Sequence, residues 1–189
     1  MSNAYSETIL NEQGATAILF RKWMPEDLLH QIALSIPWKQ NKIRVFGNWH
    51  TEPRLTYWYG PPYSYSNISW PATEMPESLQ KIAHDISLVS GFTYNSVLLN
   101  YYRNGNDSMG WHRDNEPEID PASIASLSFG GMRVFKIRNR QTKVVTSAEL
   151  YGRDLLLMNN MQSAWEHCIP KSQRFSEPRI NLTFRRIIV

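Results

Sequence analysis

The spacing of apolar residues along the chain changes character at Gly91. Before it, two segments carry apolar residues at helical spacing, Pro25 to Ile36 and Pro76 to Ser90, and each is predicted to be a helix. Gly91 is a natural stop for the second helix. Ala17 to Phe20 is a short apolar strand candidate, and the Trp-, Tyr-, Pro- and Gly-rich segment Lys39 to Pro71 indicates short strands and turns.

After Gly91 the pattern becomes that of short strands. Seven segments are strand-like: Ser96 to Tyr102, Ile124 to Phe129, Met132 to Ile137, Lys143 to Thr146, Asp154 to Met158, Trp165 to Ile169 and Arg179 to Val189. Many short strands without intervening helices predict a mainly β fold with flanking helices (α+β), an antiparallel barrel or double-sheet jelly roll with the two helices on one face. No linker-like segment occurs, so we expect one domain over residues 1–189.

Composition narrows the class of protein only slightly. A net charge of +3 and a sequence pI of about 9.0 are compatible with a polyanionic partner, or simply with a solvated surface. One cysteine, Cys168, excludes an intrachain disulfide and favours a reducing compartment. No apolar run is long enough for a membrane span, and the polar start, Met1 to Thr8, lacks a signal pattern. We therefore expect a soluble monomer, in a bacterial cytoplasm rather than a nucleus.

Three residues have the types and spacing of a metal site. His112 and Asp114 are two positions apart, so their side chains share one side of an extended segment. His167 on a later strand candidate would complete a set of two histidines and one carboxylate, the facial triad of non-haem Fe(II) oxygenases. The pair alone is weak evidence, because a chain with 5 His contains such a pair by chance and His167 could be a core histidine.

The C-terminal strand strengthens the metal hypothesis. Its alternate residues form one polar row: Arg179, Asn181, Thr183 and Arg185. Such a row inside a small barrel requires an anion, because an unpaired buried charge is costly. A dicarboxylate such as 2-oxoglutarate would fit two guanidinium groups. Asn100 and Tyr102 form another pair at strand spacing that could bind the same dicarboxylate. The alternative for both sets is a polar strand face in water.

Taken in order, these elements resemble the AlkB family of Fe(II)- and 2-oxoglutarate-dependent dioxygenases. The order Asn100-x-Tyr102, His112-x-Asp114, His167, Arg179-x-Asn181-x-Thr183-x-Arg185 is similar to the family pattern, and the similarity runs from about Ile43 to Val189. Several further segments resemble the branch that repairs duplex DNA: Val45 to His50, Pro53-Arg54, Tyr63 to Ser66 and Ile124 to Gly130.

The resemblance implies a double-stranded β-helix that uses Fe(II), 2-oxoglutarate and dioxygen. It implies that His112, Asp114 and His167 are the catalytic metal ligands. The implied 2-oxoglutarate-binding residues are Asn100, Tyr102, Arg179, Asn181, Thr183 and Arg185, with Arg179 on the distal carboxylate and Arg185 near the metal end or a ligand carboxylate. The implied reaction is oxidative demethylation of bases such as 1-methyladenine and 3-methylcytosine, which yields formaldehyde and succinate.

The resemblance also implies a nucleotide-recognition lid over residues 40–70 and a flipped target base. The implied substrate-binding residues are Val45, Phe46, Gly47, Asn48, Arg54, Tyr63, Ser64, Tyr65, Asn115 and Glu116. Tyr65 would stack on the base, Glu116 would favour a cationic base, and Phe46 would fill the gap in the stack. Lys42, Arg44 and Arg54 would contact phosphates. Asn115 and Tyr65 depart from the branch pattern, where an acid and a Phe are common.

Three other readings stay open at this point. The same chemistry could act on RNA or single-stranded DNA, rather than on the alkylated duplex DNA that the branch implies. The fold could serve as a catalytically silent nucleic-acid-binding module, against which the intact triad and arginine pair argue. The three ligands could hold zinc in a hydrolase, but the arginine-bearing strand has no use there.

Overall fold

A computed structural model describes residues 5–45, 48–65 and 68–188, with side chains described for all of these except 44, 45, 65 and 68. The helices are α1 (Leu29–Ser35) and α2 (Glu77–Ser90). The strands are β1 (Ser6–Glu12), β2 (Ala15–Phe20), β3 (Lys42–Val45), β4 (Asn48–Thr51), β5 (Leu55–Tyr59), β6 (Tyr63–Tyr65), β7 (Ile68–Trp70), β8 (Ser96–Tyr102), β9 (Met109–His112), β10 (Ser123–Gly130), β11 (Arg133–Asn139), β12 (Val145–Leu150), β13 (Leu155–Asn159), β14 (Trp165–Ile169) and β15 (Arg179–Arg185).

Eleven of the strands form two antiparallel sheets with a shared core. The larger sheet has the order β1-β2-β13-β10-β15-β8-β5, and the smaller has the order β12-β11-β14-β9. One cluster of buried residues contains Leu98 and Ile124 from the larger sheet and Phe135, Ile137 and Trp165 from the smaller. The sheets therefore face each other across an apolar layer, which confirms the predicted jelly-roll core.

Strand β15 carries two different faces, as its alternation predicts. All seven of its residues are buried. Ile180, Leu182 and Phe184 belong to a second core cluster, which also contains the apolar faces of both helices. The polar residues of β15 alternate with these three and therefore point between the two sheets. The two helices thus brace the outer face of the larger sheet, and the polar row lies inside the fold.

The helix predictions hold with one change of boundary. Helix α2 ends as predicted at Gly91, which has φ 76° and donates its backbone N–H to Ser87 O at 2.9 Å. Helix α1 begins at Leu29, so the prediction of a helix from Pro25 was wrong at that end. The Asp27 carboxylate accepts from the backbone N–H of Leu29 and from that of Gly130, both at 3.0 Å. Asp27 therefore anchors the chain to the larger sheet just before the helix.

Two strands were not predicted. Strand β1 forms the edge of the larger sheet, and its polar, mostly exposed residues carry little apolar pattern. Strand β9 is short and contains Gly110, Trp111 and His112. It lies at the edge of the smaller sheet beside β14.

The segment 40–70 forms two hairpins, β3–β4 and β6–β7, on either side of β5. Its identity as a lid over the site stays a prediction. Across the described residues, neither helix has the length and apolarity needed to cross a bilayer.

Candidate metal centre and co-substrate pocket

The two predicted histidine ligands lie opposite each other on neighbouring strands. His112 at the end of β9 pairs with His167 on β14, and their ring centroids are 4.2 Å apart. Asp114 follows two residues after His112. One potential ligand atom from each of the three residues lies within 4.8 Å of the others. The structure therefore brings the sequence-predicted triad together, with Asp114 and His167 buried and His112 half-buried.

In His112 and Asp114, a hydrogen bond to one side-chain atom leaves the other atom free to bind a metal. The Gly110 carbonyl lies 2.9 Å from His112 Nδ1 and can accept its proton, which leaves Nε2 available for a metal. Arg185 Nη2 donates to Asp114 Oδ1, while Oδ2 has no hydrogen-bond partner among the described residues. That free Oδ2 lies 3.6 Å from His167 Nε2. A buried carboxylate oxygen that faces two imidazoles fits a divalent cation.

The electrostatics of the triad also favour metal binding. Burial, the neighbouring His112 and the charge of Arg185 lower the pKa of His167 to about 3, against some opposition from Asp114. Burial likewise lowers the pKa of His112. The pKa of Asp114 is lowered, because Arg185 and the two histidines outweigh its desolvation. At neutral pH the set is therefore two neutral imidazoles and one carboxylate, the forms that bind metal.

Arg179 is a buried cation without a carboxylate partner in the described part of the chain. Its Nη2 donates to Ser128 Oγ at 2.9 Å, and its Nε and Nη1 are buried without hydrogen-bond partners there. Burial lowers its pKa to about 10, with a further contribution from Arg133, while Tyr102 opposes the shift. The guanidinium therefore stays charged at neutral pH and lacks an anion, as the dicarboxylate hypothesis requires.

One cavity connects this arginine with the triad. Its walls include all nine residues predicted to hold metal or 2-oxoglutarate: Asn100, Tyr102, His112, Asp114, His167, Arg179, Asn181, Thr183 and Arg185. Its other walls are mostly apolar: Leu98, Met109, Ser126, Phe135, Met158, Cys168 and Ile169. Arg185 donates to Asp114 and so lies beside the carboxylate of a predicted metal ligand, which is one of the two positions expected for it.

Asn181 and Thr183 line the cavity but direct their donors at the protein. The Asn181 amide donates to Ser126 Oγ at 2.7 Å and to Leu127 O at 3.2 Å. The Thr183 hydroxyl donates to Asn181 Oδ1 at 2.9 Å. These two residues therefore shape the wall and hold β15 against β10.

The predicted substrate residues lie in several different environments. Tyr63 is 3% exposed and stacks on Trp58, with ring centroids 4.6 Å apart. Asn48, Ser64 and Asn115 are exposed, as base- or phosphate-contacting residues would be. Phe46 and Gly47 lie outside the described residues, as do the side chains of Val45 and Tyr65.

Glu116 is a half-buried acid near the metal ligands. Its Oε2 is buried without a hydrogen-bond partner among the described residues. Burial and the nearby Asp114 raise the pKa of Glu116, while Arg185 and a hydrogen bond from Tyr63 oppose the rise. An acid placed in this way is available to a cationic group that enters the pocket.

The predicted phosphate contact of Arg54 was wrong. Arg54 is 2% exposed, and its Nη2 forms an ion pair with Glu52 Oε1 at 3.0 Å. Its Nε donates to Asn100 Oδ1 at 2.8 Å, so its side chain points toward Asn100, which lines the cavity, and not toward solvent. The sequence motif Pro53-Arg54 gives no sign of burial, because the partner Asn100 is 46 positions away.

The structure also reveals contributors that the sequence did not single out. Ser126 and Ser128 accept hydrogen bonds from Asn181 and Arg179 respectively. Gln162 accepts from the backbone N–H of Asp114 at 2.9 Å. The alternation of Ser126 and Ser128 was visible in the sequence, but their partner strand was not, since β10 and β15 are far apart along the chain.

Sequence comparisons with known proteins agree on one family. A sequence profile of the 2OG-Fe(II) oxygenase superfamily matches residues 18–185. The alpha-ketoglutarate-dependent dioxygenase alkB homolog 3 of Homo sapiens is 36% identical over 173 residues, which cover 85% of this chain and 60% of that protein. The DNA oxidative demethylase ALKBH2 of Homo sapiens is 32% identical over 188 residues, which cover 91% of this chain and 72% of that protein.

The fold comparison agrees. The solved structure of OsALKBH1 superposes with a TM-score of 0.67 over 95% of this chain and 100% of that one, at 16% sequence identity. That likeness supports the fold alone. The chain spans about 60% of the length of the alkB homolog 3 proteins that it matches. From the profile match, these relatives and the cavity with its triad, the chain belongs to the AlkB family of the Fe(II)- and 2-oxoglutarate-dependent oxygenases.

Proposed function

We propose that the protein is a dioxygenase that removes alkyl groups from nucleic-acid bases by oxidative demethylation, with duplex DNA as its main substrate. The observation that carries the proposal is one cavity that holds both the triad and the Arg179 guanidinium, which lacks an anionic partner among the described residues. A metal site alone would also suit a hydrolase. A buried guanidinium without a carboxylate partner among the described residues is what an oxygenase that binds 2-oxoglutarate would need.

In this proposal His112, Asp114 and His167 would hold Fe(II), with His112 Nε2 and Asp114 Oδ2 as the atoms left free to bind it. When bound, Fe(II) and 2-oxoglutarate supply the oxidising chemistry: one oxygen atom of dioxygen goes to the methyl group, and the other goes into succinate as carbon dioxide is lost. Arg185 keeps Asp114 in one orientation. The hydroxymethyl product then breaks its bond to the base nitrogen, which releases formaldehyde and the repaired base.

Arg179 is the proposed partner of the distal carboxylate of 2-oxoglutarate. Its Nη2 donates to Ser128 and keeps a second N–H, which together with the unpartnered Nε or Nη1 gives two parallel donors for one carboxylate. Tyr102 lies beside it, with the guanidinium carbon 5.4 Å from the ring centroid. The apolar residues around the pocket, such as Leu98, Met158 and Ile169, limit the access of water to the reacting groups.

The proposed substrate is a cationic, N-alkylated base that has left its stack. A methylated adenine N1 or cytosine N3 carries a positive charge, which Glu116 would stabilise relative to an undamaged base. The two hairpins of segment 40–70 provide the proposed lid, with exposed Lys42 and Asn48 available to nucleic acid. The relatives named DNA oxidative demethylase support DNA as the substrate. A monomer that acts in a bacterial cytoplasm is part of the same proposal.

Initial rates of succinate formation test this proposal. The protein would receive Fe(II), 2-oxoglutarate and one 1-methyladenine oligonucleotide in three forms: duplex DNA, single-stranded DNA and RNA. We expect formaldehyde and succinate in equal amounts, with the fastest turnover on duplex DNA. Faster turnover on a single strand or on RNA would favour that second substrate class. No turnover on any of them, by a protein that binds Fe(II), would indicate a silent binding module.

A further inference from the structure

Arg54 connects two buried polar groups at the edge of the co-substrate pocket. It lies just before β5, and its Nε donates to Asn100 Oδ1 at 2.8 Å on the neighbouring strand β8. Its Nη2 donates to Glu52 Oε1 at 3.0 Å. All three side chains are buried, with exposed fractions of 2% for Arg54 and Glu52 and 6% for Asn100.

The contact with Arg54 fixes the orientation of the Asn100 amide. A guanidinium nitrogen only donates hydrogen bonds, so the Asn100 atom that faces Arg54 must be the carbonyl oxygen. The NH2 group, on the other arm of the planar amide, then points away from the Nε of Arg54. Asn100 lines the cavity that also holds the triad and Arg179. An NH2 group presented to that cavity is a donor for an anionic ligand, whereas the flipped amide would present an acceptor and repel it.

Glu52 holds Arg54 in a single position. Its Oε2 accepts from Thr56 Oγ1 at 3.0 Å and from Asn41 Nδ2 at 3.2 Å, while Oε1 accepts from Arg54. The Glu52 backbone N–H also donates to Asn41 O at 2.9 Å. Asn41 and Glu52 lie at the two ends of the β3–β4 hairpin, so the network is anchored at the base of that hairpin. The Arg54–Glu52 ion pair has no net charge, and both carboxylate oxygens of Glu52 accept hydrogen bonds. The pair can therefore act as a rigid support for Asn100.

We propose that Arg54, held by Glu52, is a positioning residue that orients the Asn100 amide so that its NH2 group donates to bound 2-oxoglutarate. This inference rests on the proposed function, because it needs 2-oxoglutarate in the pocket. It differs from two simpler roles of Arg54, a structural ion pair with Glu52 and a contact with the nucleic-acid base. Neither simpler role makes the effect of Arg54 on co-substrate binding depend on Asn100.

A double-mutant cycle on co-substrate affinity separates these roles. Calorimetry would measure the binding of 2-oxoglutarate to Mn(II)-loaded protein without nucleic acid, for the wild type, Arg54→Lys, Asn100→Ala and the double variant. Lysine keeps the charge that balances Glu52 but lacks the planar fork that reaches both partners. We expect Arg54→Lys and Asn100→Ala each to weaken binding by about tenfold, the scale of one lost charge-assisted hydrogen bond. The double variant should bind no more weakly than Asn100→Ala, because Arg54 acts through Asn100.

The controls make each outcome decisive. Arg174→Lys alters an exposed arginine and should bind 2-oxoglutarate as the wild type does. Mn(II) affinity should be the same in all variants. If Arg54→Lys does not fold, the charge-free pair Glu52→Gln with Arg54→Met takes its place in the cycle. Wild-type affinity in the Arg54 variant, or losses that add in the double variant, would overturn the positioning role alone. A wild-type protein that does not bind 2-oxoglutarate would overturn the proposed function as well.

Discussion

Arg185 and Asp114 form a buried ion pair in which Arg185 Nη2 occupies Asp114 Oδ1 and leaves Oδ2 facing His167. The two residues are 71 positions apart in the chain, and they meet because the smaller sheet, in which Asp114 follows β9, packs against the larger sheet that contains β15. This one contact turns a carboxylate with two equivalent oxygens into a ligand with a single defined metal-binding atom.

The metal ligands give the first prediction. His112→Ala or His167→Ala should abolish Fe(II) binding and succinate formation, because a facial site with two remaining ligands binds metal weakly. Metal stoichiometry measured on dialysed protein checks this. His84→Ala removes an exposed histidine of α2 and should leave both properties unchanged. Full turnover by His167→Ala would remove that residue from the triad.

Asp114 should differ from the histidines in its effect on stability. Asp114→Ala leaves the Arg185 guanidinium buried without its partner, which typically costs about 3–5 kcal/mol. The variant should therefore lose metal binding and unfold at lower urea concentration than His167→Ala. Denaturant titration of the metal-free proteins measures this. Equal stability of the two variants would mean that Arg185 finds another partner in the folded state.

The lowered pKa of His167 predicts how the stability of the metal-free protein depends on pH. With a folded pKa of about 3 and an ordinary value of 6.5, the unfolded chain binds the extra proton between these limits. The free energy of unfolding should therefore be fully present above about pH 6.5 and fall as the pH decreases toward 3. Burial of His112 adds a change of the same sign. Urea unfolding at pH 7 and pH 5 should show this loss, and it should be smaller in His167→Gln. An equal loss in that variant would assign the proton uptake to other groups.

Arg179 gives a prediction in which affinity and stability separate. Arg179→Met should weaken 2-oxoglutarate binding by at least about a hundredfold, because a bidentate charge-assisted contact is lost. The same change removes a buried charge that has no carboxylate partner in the described ranges, so the ligand-free protein should be no less stable. Calorimetry and thermal unfolding measure the two effects, with Arg174→Met as the exposed control. An unchanged co-substrate affinity would move the role to another residue.

Phe46 gives a prediction that concerns the choice of nucleic acid. It lies outside the described residues, so the expectation comes from the sequence Val45-Phe46-Gly47 between polar neighbours. Phe46→Ala should strongly reduce the rate of repair of duplex DNA and leave the rate on a single strand largely unchanged, because a single strand has no base stack to refill. Phe92→Ala, at an exposed Phe beyond α2, is the control. Equal loss on both substrates would indicate a packing role for Phe46.

The sequence predicted those elements in which the spacing of polar and apolar residues matches the burial of each face. Strand β15 alternates polar and apolar residues because each face has its own environment, so its polar row was visible before the structure. Strand β8 and helix α2 are similar cases. Strand β1 was missed because an edge strand with mostly exposed residues leaves no alternation of that kind. Helix α1 starts late because Asp27 is bound to Gly130, a contact between residues 103 positions apart.

The same distinction applies to the candidate site. Residue types and spacing identified the triad and Arg179, because metal and carboxylate binding require particular chemical groups. They assigned Arg54 to a phosphate contact, because its buried partner Asn100 lies on β8 and is set by the pairing of β5 with β8. A lone arginine after a proline suggests a surface cation, and only the three-dimensional structure shows that Arg54 is buried and bonded to Asn100 and Glu52.

The most direct test of the central claim is the mass of a methylated oligonucleotide after exposure to the protein. A duplex that contains one 1-methyladenine would be incubated with protein, Fe(II), 2-oxoglutarate and air, and both strands would be analysed by mass spectrometry. The account predicts that the modified strand loses the mass of one methylene group, with one formaldehyde and one succinate formed per base repaired, and that His167→Ala leaves the mass unchanged. An unchanged mass with folded, metal-loaded wild-type protein, on this duplex and on its single-stranded and RNA forms, would contradict it.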